Sequence, residues 1–189
     1  MRAIRSRLGP SVALALAVVA TTVGIAGSAH GTLGPVSAKL SVKSSRTPSS
    51  CEVSVEGLVA MTQAEARTLL DSGHRVVVRV WGEDPIHDDL LLGPYILARG
   101  SVWSPSYAAA TPTGLTLRLR VVVASTTLDE DSYPDPGLRD ELYAGVRLVD
   151  PAGRTIRSAE TNRVGGYDFS SPLSDRGCAG LPAAAPARS

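Results

Sequence analysis

Acidic side chains are concentrated in two short stretches of this 189-residue chain. Residues 83–89 and 129–141 together hold ten of its 18 acidic residues, with Arg139 as the only Lys or Arg among them. Glycines and prolines mark both stretches as loops, and each follows a strand with a strong alternating pattern. Calcium suits such loops because it takes about six to eight oxygen ligands from carboxylates, carbonyls and water. The candidate ligands are Asp84, Asp88, Asp129, Asp131 and Asp135.

This calcium site requires both loops to emerge at one end of the fold, which happens if the two preceding strands run in the same sense. Calcium-binding β-sandwiches of the C2 type place their acidic loops in this way, and the similarity is one of architecture. The alternative is that the loops are solvated surface, since charged loops also keep an exported protein in solution.

His87 lies beside these carboxylates and raises the alternative of a secreted hydrolase. In that case His87 and the nearby carboxylates would act as acid–base groups. One histidine makes a poor zinc site, however, because zinc usually takes two or more His or Cys ligands. The chain also lacks Gly-x-Ser-x-Gly, His-Glu-x-x-His and Gly-rich phosphate-binding motifs. We therefore expect a non-catalytic protein that binds a ligand or a partner.

Charged residues recur on the polar side of several predicted strands. The arginines are Arg79, Arg118, Arg120 and Arg147, and the acids on another strand are Glu52 and Glu56. Opposite charges on neighbouring strands would form cross-strand ion pairs of modest strength. Alternatively, the arginines form a charged sheet face through which an accessory domain docks to an acidic component of the cell envelope.

The first 29 residues have the three parts of a secretory signal peptide: a start with three arginines, an apolar segment and the small residues Gly27-Ser28-Ala29. Cleavage before His30 leaves 16 basic and 18 acidic residues, a net charge of −2, which provides no global attraction for nucleic acid. No second apolar segment follows, so we expect a secreted protein without stable membrane insertion. Nearly all basic residues are Arg, which suggests a GC-rich bacterial genome.

Cys51 and Cys178 are the only cysteines, and both lie in the exported part. Two cysteines outside the cytosol most often form a disulfide. This one would join the two ends of the folded domain, and the chain-entropy model gives about 4–5 kcal/mol of stabilisation for so long a loop.

Four segments alternate between apolar and polar residues with the period of a strand. The clearest apolar set is Leu115, Leu117, Leu119, Val121 and Val123, and Arg118 and Arg120 lie on its polar side. Shorter strands fit at residues 90–97, 101–103 and 155–160, and Asp150-Pro151-Ala152-Gly153 has the residues of a hairpin turn. One helix is expected near 63–72, because Thr62-Gln63-Ala64-Glu65 forms a capping box and Gly73 suits its C-terminal end.

Many short strands with one connecting helix predict an all-β fold, specifically an antiparallel β-sandwich with immunoglobulin-like or C2-like architecture. We expect this sandwich at residues 51–178, after a linker or loosely held strand at 30–50. A disordered Ala/Pro-rich tail is expected at 179–189. Trp81 and Trp103 are expected to pack in the core or at its rim.

Overall fold

Strands in which apolar and polar residues alternate form most of the secondary structure of this protein. The computed structural model describes residues 33–83, 87–129, 140–167, 169 and 178. The strands are Val36–Ser44 (β1), Ser50–Ala60 (β2), Arg75–Gly82 (β3), Asp89–Leu97 (β4), Tyr107–Thr111 (β5), Gly114–Ala124 (β6), Asp140–Val149 (β7), Thr155–Glu160 (β8) and Val164–Tyr167 (β9). A helix, Gln63–Asp71 (α1), connects β2 to β3, and a 3-10 turn, Ser125–Thr127, follows β6.

The strands form two antiparallel sheets that pack together. The first sheet has the order β1-β2-β6-β5, and the second has the order β4-β3-β7-β8, with β9 also paired to β7. The predicted hairpin turn joins β7 to β8, where the Gly153 N–H donates to the Asp150 carbonyl at 2.9 Å. Gly153 has a φ of +84°, which a glycine adopts without strain. The prediction of a mainly β, sandwich-like fold with one short helix is confirmed.

The period-two pattern correctly identified the inward faces of the strands. The buried residues of β3 and β7 are Val76, Val78, Val80, Leu142, Ala144, Val146 and Leu148. In β6, Leu115, Leu117 and Leu119 are at most 2% exposed, while Val121 and Val123 are partly buried against the core. Arg120 is exposed on the other side of the same strand. These residues supply much of the hydrophobic core between the sheets.

The capping box predicted for the helix is present. Thr62 Oγ1 accepts the backbone N–H of Glu65 at 3.2 Å, and the Glu65 carboxylate accepts the Thr62 N–H at 2.8 Å. Gly73, with a φ of +86°, ends the helix by donating to the Leu70 carbonyl at 3.2 Å. Ala66 and Leu70 are buried, so the helix covers one edge of the core.

The structure defines one segment that the sequence left open and one that the sequence pattern misassigned. A complete strand, β1, lies within residues 30–50 and pairs with β2 from Val36 to Ser44, so the sheets begin well before residue 51. The strand expected at 101–103 is a turn instead, because the Ser104 N–H donates to the Ser101 carbonyl at 2.9 Å. The strand in this region is β5, which the sequence analysis missed because alanines, which favour helix, fill its centre.

Two contacts hold the ends of the fold to its sheets. Cys51 and Cys178 form a disulfide with a Cα–Cα distance of 5.5 Å, and both residues are buried. The Asn162 side chain holds β1, because its Oδ1 accepts the Leu40 N–H at 3.0 Å and its Nδ2 donates to the Leu40 carbonyl at 3.3 Å. The predicted signal peptide and tail lie outside the described residues. Within those residues, no helix is long and apolar enough to cross a membrane.

Candidate functional site

The arginines of the first sheet are neutralised by glutamates on the neighbouring strand. Glu56 is the register partner of Arg118, and Arg118 Nη2 lies 2.9 Å from the Glu56 carboxylate. Arg120 forms a similar ion pair with Glu52. The cross-strand pairing expected from the sequence is therefore confirmed for this sheet.

The arginines of the second sheet lie in a different environment. Arg75, Arg79 and Arg147 occupy its outer face, since their strand neighbours Val76, Val78, Val80, Val146 and Leu148 are buried. None of the three forms an ion pair with an acidic residue in the described part of the chain. Arg147 is instead held by Thr155, whose hydroxyl accepts its Nε–H at 2.8 Å. The outer face of the second sheet therefore carries three arginines that form no ion pair among the described residues, although Glu160, the register partner of Gly145, lies on the same face.

Arg79 lies opposite an irregularity in β4. Gly93 and Pro94 together stand across from this one residue, which makes a β-bulge in the edge strand. Gly93 has a φ of +102°, and a Cβ there would lie 2.8 Å from the Val78 carbonyl oxygen, so the bulge requires glycine. Bulges of this kind often redirect a side chain next to a binding site.

The Arg79 Nε–H is a buried donor for which the described residues supply no hydrogen-bond acceptor. Burying such a donor without an acceptor costs about 1–3 kcal/mol. A carboxylate that took the Nε–H and an Nη–H together would remove this cost, because the guanidinium presents these donors as a planar fork. Because this Nε–H is buried, the Arg79 side chain would have to rotate toward solvent before a ligand could take both donors.

The three arginines line a surface groove of about 250 Å³, which we call the arginine groove. Its apolar side chains are Val77, Pro94, Ile96, Val149 and Pro151. Ile96 is 57% exposed, so part of this apolar surface faces solvent. The groove therefore offers both guanidinium donors and aliphatic surface to a ligand.

One acidic residue, Asp150, lies at the end of the arginine groove near Arg75. Its carboxylate accepts the backbone N–H and the Nε–H of Arg154, at 2.8 and 2.7 Å. The backbone hydrogen bond is the main reason that the pKa of Asp150 lies below its ordinary value. Asp150 is thus an ionised group that is bound by Arg154 at the Arg75 end of the groove.

The two acidic stretches meet at one end of the second sheet, where its central strands β3 and β7 pair. Gly82 is the register partner of Leu142, and the Glu83 N–H donates to the Glu141 carbonyl at 2.8 Å. The first acidic stretch therefore begins beside the place where the second one ends. The contact comes from the pairing of β3 with β7. The sequence expectation instead invokes the directions of the two strands that precede the acidic stretches, β3 and β6.

The structure describes two of the five candidate calcium ligands, Asp88 and Asp129. The other three, Asp84, Asp131 and Asp135, lie outside the described residues. Within the described ranges, no group of three or more His, Cys, Asp or Glu side chains is placed to hold a metal ion. The calcium site consequently stays a prediction.

Asp88 belongs to a polar cluster at this end of the sheet. It accepts the Tyr143 hydroxyl at 2.7 Å, and the Arg163 guanidinium lies 5.2 Å from the centre of the Tyr143 ring. Arg163 also forms an ion pair with Glu83. Burial, followed by the hydrogen bond to Asp88, raises the pKa of Tyr143 to about 12. The cluster fixes the start of the first acidic stretch against β7.

The remaining residues singled out in the sequence have separate positions. His87 is exposed next to Asp88, whose carboxylate is already engaged by Tyr143. Trp81 is half-buried on the outer face of β3, as expected for rim packing. Trp103 is 92% exposed in the turn before β5, so the expectation that it packs was wrong. The turn formed by Ser101 and Ser104 carries it away from the sheets.

Nothing in the sequence marks Arg75 as a site residue or places a residue of β4 beside the arginines. Alternation along β3 put Arg75 and Arg79 on one face, but only the strand pairing shows that Arg147 joins them. No protein-family model, curated protein or solved structure matches the chain.

Proposed function

We propose that this protein is a secreted bacterial, non-catalytic binding module that docks an acidic partner through the arginine groove. The observation that carries the proposal is the contrast between the two sheets. The first sheet pairs its arginines with Glu52 and Glu56. Arg75, Arg79 and Arg147 have no such pairing among the described residues and line one groove.

The order of the strands supports an immunoglobulin-like architecture for this module. Immunoglobulin-type sandwiches place strands A, B, E and D in one sheet and C, F and G in the other, with C′ beside C in the variable type. When β1 to β8 are labelled A, B, C, C′, D, E, F and G in chain order, the first sheet has the order A-B-E-D and the second has the order C′-C-F-G. The sheet faces and loops of such a framework serve many unrelated functions, so the argument for binding rests on the arginine groove.

The overall charge supports a local interaction rather than a general one. The exported chain from His30 has a net charge of −2, so its global field does not attract anions. An acidic partner would be held only where basic residues are grouped without acidic neighbours. A component of the cell envelope that carries carboxylates fits this requirement.

Retention on immobilised poly-L-glutamate tests this function. We expect the mature protein to bind at low salt and to elute as added salt screens the charges. Replacing Arg75, Arg79 and Arg147 with Ala should abolish retention. The charge-matched control replaces Arg99, Arg118 and Arg120, which are all ion-paired outside the groove, and it should still bind. Equal loss in both variants, or no retention of the wild-type protein, would show that the proposed function is wrong.

A further inference from the structure

We infer that the ligand of the arginine groove is an extended peptide in which two acidic residues flank an aliphatic one, in the pattern acidic-x-aliphatic-x-acidic. The inference rests on the proposed function and names the chemistry of its partner. It follows from the spacing of the arginines, the aliphatic lining between them and the size of the groove.

The spacing of the arginines matches the repeat of an extended chain. Arg75 and Arg79 are four residues apart on β3, which corresponds to about 13 Å. Val77 lies midway between them, with Arg147 as its register partner on β7. Alternate residues of an extended peptide face the same side with the same repeat. Acidic residues at its first and fifth positions would therefore meet Arg75 and Arg79 while the third position lies over Val77.

The aliphatic lining favours a peptide over an anionic polymer. Val77 and Ile96 would be covered by an aliphatic side chain at the third position, and this burial adds to affinity. An anionic polysaccharide or a polyphosphate has no aliphatic side chain to place there. No aromatic residue, on which a sugar ring would stack, is among the lining residues of the groove.

The size of the groove also favours a peptide. Its volume of about 250 Å³ lies below the roughly 300–1,000 Å³ of sites that enclose a small molecule. The groove can accept individual side chains of a peptide whose backbone remains at the surface.

The three arginines should contribute unequally. The bulge opposite Arg79 and its unsatisfied Nε–H favour a carboxylate that takes two hydrogen bonds from its guanidinium. Arg147 is already oriented by Thr155. Arg75 lies near the negative charge of Asp150, which opposes an incoming carboxylate at that end. Arg79 is therefore the main determinant of specificity.

The probe is a fluorescently labelled peptide, Glu-Ser-Val-Ser-Glu, titrated with the mature protein and followed by anisotropy. We expect Arg79→Ala to weaken binding about tenfold or more, and Arg75→Ala and Arg147→Ala to weaken it less. The control Arg118→Ala removes the same charge from the other sheet and should leave binding unchanged. Far-ultraviolet circular dichroism of each variant shows that it is folded.

Two comparison peptides and two polymers separate this inference from the proposed function. The peptide Glu-Ser-Ser-Ser-Glu and the rearranged Glu-Glu-Val-Ser-Ser should both bind several-fold more weakly. If all three peptides bind equally, or if heparin or polyphosphate binds through Arg79 and the peptides do not, the peptide inference is wrong while docking to an acidic partner stands. If neither peptides nor polymers bind in an Arg79-dependent manner, the inference and the proposed function both fail.

Discussion

At the residue scale, the environment across the strand decides what each arginine of this protein does. Arg118 has Glu56 directly opposite and forms an ordinary exposed ion pair. Arg79 has Gly145 opposite on β7 and a bulge on its other side, so no acidic side chain reaches it from its register partners. The same residue type therefore forms a cross-strand ion pair at Arg118 and is a candidate ligand contact at Arg79.

Tyr143 gives a prediction at the same scale. Its pKa is raised from 10.0 to about 12, mainly by burial and then by the hydrogen bond to Asp88. A group whose pKa is higher in the folded state stabilises the fold below its unfolded pKa, and this contribution is lost as pH rises from about 10 to about 12. We expect Tyr143→Phe to lower the free energy of unfolding by about 1 kcal/mol near neutral pH. The stability difference from wild type should shrink above pH 10.

Urea unfolding near neutral pH and at about pH 11 measures this difference. Tyr107→Phe is a suitable control, because it alters a buried tyrosine on the first sheet and leaves the contact with Asp88 intact. If the effect of Tyr143→Phe is the same at both pH values, the hydroxyl does not make the buried contact described.

At the element scale, the period-two pattern predicted which face of a strand is buried but not which sheet the strand joins. Arg118 and Arg147 both read as outward-facing arginines, yet they lie on different sheets because β6 pairs with β2 and β7 pairs with β3. Pairing is decided by long-range packing, which a local pattern does not contain. The same limit explains why β5 and the bulge in β4 were not predicted.

Strand β6 allows the predicted faces to be tested by substitution. Leu117 is 1% exposed, so Leu117→Ala should cost about 2–5 kcal/mol by removing core contacts and leaving a cavity. Arg118→Ala removes an exposed ion pair and should cost about 1 kcal/mol or less. Chemical denaturation of both variants checks the difference, and equal effects would contradict the assignment of the two faces.

The acidic loops give a second prediction at this scale. If Asp84, Asp88, Asp129, Asp131 and Asp135 share a calcium ion, calcium should stabilise the fold by about 2.7 kcal/mol at roughly a hundredfold excess over the dissociation constant. Magnesium should stabilise the fold much less than calcium, because magnesium requires a tight octahedral shell of ligands. Thermal melts with chelator, magnesium and millimolar calcium provide the measurement.

A pair of variants sharpens the calcium experiment. Asp131→Asn should weaken the response to calcium, whereas Asp71→Asn, which changes an acid on α1 paired with Arg99, should leave it unchanged. Identical midpoints under all three conditions would mean that the loops are solvated surface and that the calcium prediction should be abandoned.

At the scale of the whole molecule, the disulfide connects the start of β2 to the segment that follows β9. Cys51 and Cys178 are 127 residues apart, so the bond encloses every described strand except β1. We expect secreted material to begin near His30 and to gain two hydrogens in mass on reduction. Reduction should also lower stability by about 4–5 kcal/mol in the chain-entropy model. Free thiols in unreduced material, or secreted protein that retains residues 1–29, would contradict this account.

The most direct test of the central claim is to map the bound peptide on the folded protein. Amide NMR spectra of the labelled mature protein would be recorded while Glu-Ser-Val-Ser-Glu is added. Docking at the arginine groove predicts shifts of the amides around Val77, Arg79 and Arg147, with those of β2 and β6 unchanged. Shifts concentrated on the first sheet, or spread evenly over the chain, would contradict it.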